Sequence, residues 1–477
     1  MLEYDIIIKK LFVFAIILLF LSINVNTSIG RVLEQSSTLS YDGNTLYVGG
    51  SGEGNYTRIQ DAIDNASDGD TVFVYNGTYY ENIEIKKSIN LFGEHRDTTV
   101  IDGDGGHMVI YLAEMAFVES VIVSGFTIQN GRAGIVYDTG INNLGSHFFS
   151  MKCEHHTSAG FYNNILRNNK VGISVGWWSQ HIFLSNNIIS NNEYGITFDN
   201  SMYCWIYDNT IMDNDNGIYF YYNGYSNDLF KNNISNNKNG IILNYYSTNN
   251  WIYENTITEN DKGICLYNSD YNEIRDNIIT LNNKDCISLF SSDFNFITQN
   301  IIVDNGNGIN LSNSNYTSIN DNTVRHTNFG IYLLNSNRNS IEDNNIIENT
   351  NGIYLEKSSW NDISVNILEG NDGSIWFKSH SKQNTIARND IKNNSKSGLL
   401  LDCFCNKNSI HHNVFMKNPL HAYFINSFSN SWNKNFWDNW SGSESKIIYG
   451  RIGLIYAIIP WINFDRNPAL KPYDIEV

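Results

Sequence analysis

Isoleucine recurs along this chain in short alternating runs set between asparagine-rich turns. From residue 163 one phrase repeats: Asn-x-apolar, a few polar residues, Gly-Ile-x-apolar, then a polar turn. Its first element stands at Asn163/Ile165, Asn186/Ile188, Asn209/Ile211, Asn232/Ile234, Asn255/Ile257 and Asn277/Ile279, and continues to Asn413/Phe415 in steps of 22 to 24 residues. Its second keeps the same step, at Gly172-Ile173, Gly195-Ile196, Gly217-Ile218, Gly240-Ile241 and Gly263-Ile264, then Gly308-Ile309, Gly330-Ile331, Gly352-Ile353 and Gly398-Leu399. Cys286-Ile287 and Ser374-Ile375 fill the two vacant beats. A third column, from Asn250-x-Ile252 through Asn272-x-Ile274 to Asn408-x-Ile410, holds the same register. Each stretch alternates with period two, which predicts strands rather than helices.

Three short strands per coil of 22–24 residues, each stacked on its counterpart in the next coil, predict an all-β fold: a single-stranded right-handed parallel β-helix of about twelve clear coils. A leucine-rich repeat of similar length lacks this isoleucine pattern, and a helical repeat needs apolar residues at i, i+3 and i+4. The asparagine excess fits the same picture. Asparagine tolerates left-handed turns, and its amide can both donate to and accept from the coil above and below. Residues 45–430 are assigned to the solenoid, with capping coils over 45–130 and regular coils over 163–430. Tyr56 to Ala66 places Ile59, Ala62, Ile63 and Ala66 on one face of a short capping helix. Residues 431–477 form an aromatic-rich C-terminal cap around Trp432, Phe436, Trp437, Trp440, Trp461 and Phe464.

Residues 1–30 differ from the rest. Lys9 and Lys10 precede an apolar run from Leu11 to Ile23, short for a membrane span and suited to a signal-peptide core or an N-terminal anchor. The expected location is therefore outside the cytoplasm, with attachment to a membrane through this segment as one form of it. Net charge is −18, and no lysine/arginine cluster can track a phosphate backbone, which argues against nucleic acid as a partner. The six cysteines match no zinc motif and suggest no disulfide pairing.

The segment Asn55 to Gly103 resembles the opening of the pectin-lyase-like superfamily, and with the Asn-x-Ile and Gly-Ile coils the chain resembles the NosD-like β-helix family over about residues 45–430. That family takes its name from a periplasmic protein involved in delivering copper to nitrous oxide reductase. The same repeat type occurs in sugar-binding and sugar-hydrolysing domains. The resemblance implies the fold, and leaves open a surface-polysaccharide binder or structural envelope protein, a carbohydrate-active hydrolase or lyase, and a copper protein. Gly77-Thr-Tyr79-Tyr-Glu81 matches an early pectin methylesterase pattern, but the later catalytic segments of that enzyme class are absent, as are the galacturonase, pectate lyase and alginate epimerase motifs.

Generic acid/base chemistry needs two carboxylates facing one cleft. Asp199, Glu356 and Asp402 fall near one outward column, several coils apart, and Asp102 and Asp104 sit in a glycine-rich first-coil turn. If Ile196 and Phe198 point inward, the same register turns Tyr219, Tyr221, Tyr267, Phe290, Tyr332, Tyr354 and Trp376 outward. Such rings can stack on sugars, and equally they are good strand residues. One segment breaks the rhythm: Gly134-Ile135 to Gly172-Ile173 spans 38 residues. It contains His147, Met151, Cys153, His155 and His156, soft donors that suit copper.

Overall fold

The computed structural model describes residues 43–113, 120–138, 158–440, 442, 444–453 and 458–475. The N-terminal apolar segment and the copper candidates His147, Met151, Cys153, His155 and His156 lie outside the described residues. Among the described residues, no helix is long and apolar enough to cross a membrane.

The repeat folds as its spacing requires. Each coil supplies one strand to each of three parallel ladders. In a typical coil, ladder A takes Trp251–Tyr253, ladder B takes Thr256–Thr258 and ladder C takes Lys262–Tyr267. Each strand pairs with its counterpart one coil away: Ile252 with Ile274, Ile257 with Ile279, Ile264 with Ile287. Among the described residues ladder B contains 16 strands, so the solenoid is longer than its twelve regular coils. Gly77–Tyr80, Thr99–Asp102 and Thr127–Gln129 open the ladder and Phe436–Trp437 closes it, without the Asn-x-Ile phrase.

The inward residues of all three ladders form one continuous core of stacked isoleucine, leucine and phenylalanine. Coils pack closely where each Gly-Ile glycine meets the next coil: a Cβ on Gly308 would sit 2.3 Å from the Gly330 carbonyl oxygen. Cys286, Ser374 and His421 occupy that place on three coils and are buried.

Asparagine ladders run inside the corners. Asn300 donates its side-chain amide to Ile274 O (2.8 Å) and Asn322 Oδ1 (3.0 Å), and accepts from the Asn277 amide at 3.0 Å. These bonds tie each corner to backbone carbonyls of the coil before it and to the asparagine of the coil after it, and a buried polar group needs such partners. In the first two regular coils the ladder residues are Asn164 and Asn187, each two residues before inward Leu166 and Ile189. The expected Asn163 and Asn186 instead stand one residue earlier, at the left-handed outer position (φ 54° and 55°). Consecutive asparagines allow either reading, and the core side chains select the register.

Both ends are capped. The helix Ile59–Asn65 buries Ile59, Ala62 and Ile63. Glu81 accepts from the Ile59 and Gln60 amides at 2.9 and 3.1 Å, closing the helix N-terminus. At the far end, strands Lys446–Ile452 and Ile459–Asp465 pair antiparallel, joining ladder C to ladder A. Asp465, fully buried, ends an asparagine ladder by accepting from Asn435 (N and Nδ2) and from Trp437 Nε1. Trp432 and Trp437 are buried as expected of a plug, whereas Trp461 and Phe464 lie exposed on the terminal hairpin.

The arrhythmic segment adds no rung. Ala133–Tyr137 pairs directly with Val171–Val175, and Ser158–Tyr162 pairs with Ser120–Ser124.

Candidate functional site

All three corners share one backbone device: an outward residue in the left-handed region, followed in most coils by an inward asparagine. The side chains placed on that device differ. The corner from A to B carries Glu254, Asp276, Asp321 and Asp343, at φ 54°, 54°, 56° and 54°. The corner from B to C carries Glu259, Asp304, His326 and Glu348. The corner from C to A carries Tyr271, Phe294, Tyr316, Arg338 and Trp360 on consecutive coils, at φ 57°, 57°, 55°, 58° and 59°.

A left-handed conformation costs an ordinary residue about 1–2 kcal/mol, and bulky side chains are rare there. Asn249 and Ser226 occupy the same C–A position on other coils, so the turn itself does not demand a ring. Stacking returns part of the cost: Phe294 lies 5.0 Å from Tyr271 and 4.7 Å from Tyr316, at 4° and 6°. The Arg338 guanidinium continues the row, 5.5 Å from Tyr316 and 5.6 Å from Trp360. The rings are nevertheless exposed, Trp360 by 53%. Tyr245, Tyr246, Phe290 and Phe296 flank the row and are exposed as well, making a contiguous apolar ridge of the kind that marks an interaction surface.

The stripe expected on ladder C exists in two parts. Tyr219, Tyr332, Tyr354 and Trp376 share one outward column, but Ile242, Cys265, Ser288 and Asn310 separate Tyr219 from the others. Tyr267 and Phe290 belong to the neighbouring column. Tyr221 belongs to neither: Asp199 pairs with Tyr222, and Tyr221 is the extra residue of a bulge. Tyr332, Tyr354 and Trp376 pack edge to face at 5.3 and 5.2 Å, and Tyr354 is only 7% exposed, so its ring faces are covered by neighbours. Burial first, then Glu356, Asp402 and Cys405, push its hydroxyl up to about 12. Among the described residues, the buried Trp376 indole N–H finds no acceptor.

Glu356 and Asp402 prove closer than their sequence separation suggested. Glu356 pairs with Lys378, and Asp402 follows on the next rung, so one coil separates the two carboxylates and a lysine stands between them. Asp199 lies far up the same face. Two other early candidates are structural: Glu81 caps the helix, and Asp102 accepts from Gln129, Asn130 and the Asp104 amide. Burial alone would raise the Asp102 pKa, and those three hydrogen bonds together hold it below the usual value.

Among the described residues, no group of three or more His, Cys, Asp or Glu is placed to hold a metal. His411 and His412 touch through their Nδ1 atoms at 3.0 Å, beside Arg388 and Lys434, whose charges oppose a further cation. Burial pushes the Cys405 thiol up to about 12, which disfavours the thiolate a metal needs.

The row at the C–A corner escaped a reading based on strand alternation, because its members lie between strands. The usable signal was the residue immediately before each inward asparagine or threonine of that corner: Tyr271-Asn272, Phe294-Asn295, Tyr316-Thr317, Trp360-Asn361.

Fold and surface together define a repeat-built β-solenoid with one aromatic edge and two charged ones. Residues 63–262, 150–307, 254–322 and 282–444 match the family described as "Periplasmic copper-binding protein (NosD)", and the chain belongs to that family. A short stretch is also similar to the probable pectinesterase/pectinesterase inhibitor 44 of Arabidopsis thaliana, 38% identical over 81 residues, or 16% of this chain and 15% of that protein. Similar solved structures include the N-terminal fragment of bacteriophage Phi29 gene product 12, at 10% identity, covering 79% of this chain and 89% of that one with a TM-score of 0.47. The PL6 family alginate lyase AlyGC matches at 11% identity, with 79% of each chain covered and a TM-score of 0.44.

Proposed function

We propose that the protein is exported and holds polysaccharide of the cell envelope or its surroundings along the C–A corner and the adjoining face of ladder C. The observation that carries this reading is the contrast among corners: one backbone device bears a stacked row of exposed rings on a single edge, while the other two edges carry mostly charged or polar groups, with Val365 and Leu281 as the apolar exceptions. Aromatic edges and faces pack on the C–H surfaces of sugars, while ring hydroxyls and asparagines supply hydrogen bonds. Export is supported by the lysine pair and apolar run at the N-terminus and by the periplasmic description of the family. The test is retention on surface polysaccharide of a Phe294→Ala/Tyr316→Ala/Trp360→Ala variant. Loss is expected, and retention equal to the parent protein's sinks the reading. Tyr332→Ala/Tyr354→Ala/Trp376→Ala should weaken retention less, because Tyr354 is already covered.

Copper binding is the second reading, favoured by the family's description. Its candidate donors are His147, Met151, Cys153, His155 and His156. Titration with Cu(I) should show a tight site that Cys153→Ala/His155→Ala removes; an unchanged titration ends this reading.

A further inference from the structure

The outer face of ladder A carries two columns in its N-terminal half. In one, Tyr207, Phe230 and Tyr253 stack without interruption at 5.1 and 5.0 Å, and Arg275 lies over Tyr253 at 4.5 Å. The other column is broken. Phe183, Trp205, Asp228, Trp251, Glu273 and Phe296 follow one another rung by rung, so carboxylates replace rings at two places. Phe183 and Trp205 stack at 4.8 Å and 9°, close to the rung spacing. The Trp205 ring therefore lies across the solenoid axis, with one face on Phe183 and the other toward the Asp228 rung. Trp251, one rung beyond Asp228, is exposed. Two rungs span roughly 9.6 Å, which is twice a normal ring-stacking separation. Between Trp205 and Trp251 the column carries the short Asp228 side chain in place of a ring.

The chemistry at the floor of this bay is selective. Asp228 forms no ion pair among the described residues. The Tyr253 hydroxyl hydrogen-bonds its carboxylate. The nearest cation, Arg275, is already held by Glu273 (3.0 Å) and Asp276 (2.7 Å). Burial outweighs the Tyr253 hydrogen bond and the Arg275 charge, so the Asp228 pKa stands above the ordinary value, the mark of a poorly solvated carboxyl. A hydroxyl-bearing ring would give it donors. A second carboxylate would meet repulsion, in a chain whose net charge is already −18.

We infer that the bay formed by Trp205, Asp228 and Trp251 is a subsite for a neutral pyranose ring and rejects uronic acids. This inference rests on the polysaccharide reading and narrows its substrate class.

Calorimetric titration with cellohexaose, mannohexaose and hexagalacturonate tests it. At least one neutral hexamer should bind, with hexagalacturonate at least tenfold weaker. Trp251→Ala should weaken neutral binding at least tenfold, and Trp251→Phe, which keeps a ring in the column, should restore most of it. Asp228→Asn should narrow the gap between neutral and uronate probes. Equal or tighter binding of hexagalacturonate, a ratio unmoved by Asp228→Asn, or full binding by Trp251→Ala each overturns the inference. A parent protein that binds no hexamer yet stays on surface polysaccharide overturns the subsite alone. One that does neither overturns the polysaccharide reading as well.

Discussion

Phe294 and Asp321 occupy equivalent places. Each is the outward, left-handed residue that precedes an inward asparagine, at φ 57° and 56°. One stands in a stacked aromatic row and the other in an acidic one. Since backbone geometry and inner neighbours are alike, neither side chain follows from the fold. What the corners share is structural and lies inside; what distinguishes them lies outside and is free to serve function. That division is the lesson of the comparison, and three experiments press on it.

The largest effect should come from the shared half. Asn300 and its outward neighbour Gln299 sit on one corner. Asn300→Ala would remove the acceptor of the buried Asn277 backbone N–H and the side-chain donor to the Ile274 carbonyl. Each orphaned group costs about 1–3 kcal/mol, so a total loss of roughly 3 kcal/mol or more is expected. Gln299→Ala, a surface change, should stay within about 0.5 kcal/mol. Urea unfolding of the two variants measures the difference, and similar midpoints would mean the inner ladder is not what holds the corners.

The next effect concerns the distinguishing half. Phe294→Asn/Tyr316→Asn replaces strained rings by the residue that tolerates left-handed geometry best. Relief of about 1–2 kcal/mol per residue offsets stacking worth about 0.5–1.5 kcal/mol per pair. Stability should therefore move by no more than about 1 kcal/mol, while retention on polysaccharide falls about tenfold, or 1.4 kcal/mol. Asp276→Tyr/Asp321→Tyr puts rings on the A–B corner instead and should gain no retention. Equal gain there would show that any ring on any corner suffices.

How far the sequence disclosed all this follows the same division. Inward positions repeat because stacking constrains them, so Ile257, Gly263 and Asn255 announce the fold. Register slipped only where two asparagines adjoin, at Asn163-Asn164 and Asn186-Asn187, because either could face inward. Outward positions carry no periodic signal. Alternation located Tyr332, Tyr354 and Trp376 correctly in one column, yet could not see the bulge that ejects Tyr221 or the packing that covers Tyr354. The row from Tyr271 to Trp360 lies in turns, where alternation does not operate, and the broken column at Asp228 emerges only when rungs are aligned. The copper candidates stay a proposal carried by residue type.

The smallest effect separates the two charged corners from each other. On the B–C corner, hydrogen bonds from Arg325 and then His326 hold the Glu348 pKa below its ordinary 4.5. A depressed folded pKa gives stability that is present above the unfolded value and lost as pH falls through the folded one. On the A–B corner, burial, then repulsion from Asp321 and Glu342, raises the Asp343 pKa above its ordinary 3.8. A raised carboxyl pKa does the reverse: stability is full below the unfolded value and declines as pH rises through the folded one. Glu348→Gln should therefore lower the melting temperature at neutral pH, and Asp343→Asn should raise it. Both differences should shrink in acid. Glu348 is half exposed, so added salt should diminish its share first. Shifts of the same sign would mean that the acidic row between A and B is relieved by solvent, and that the two charged corners are electrostatically alike.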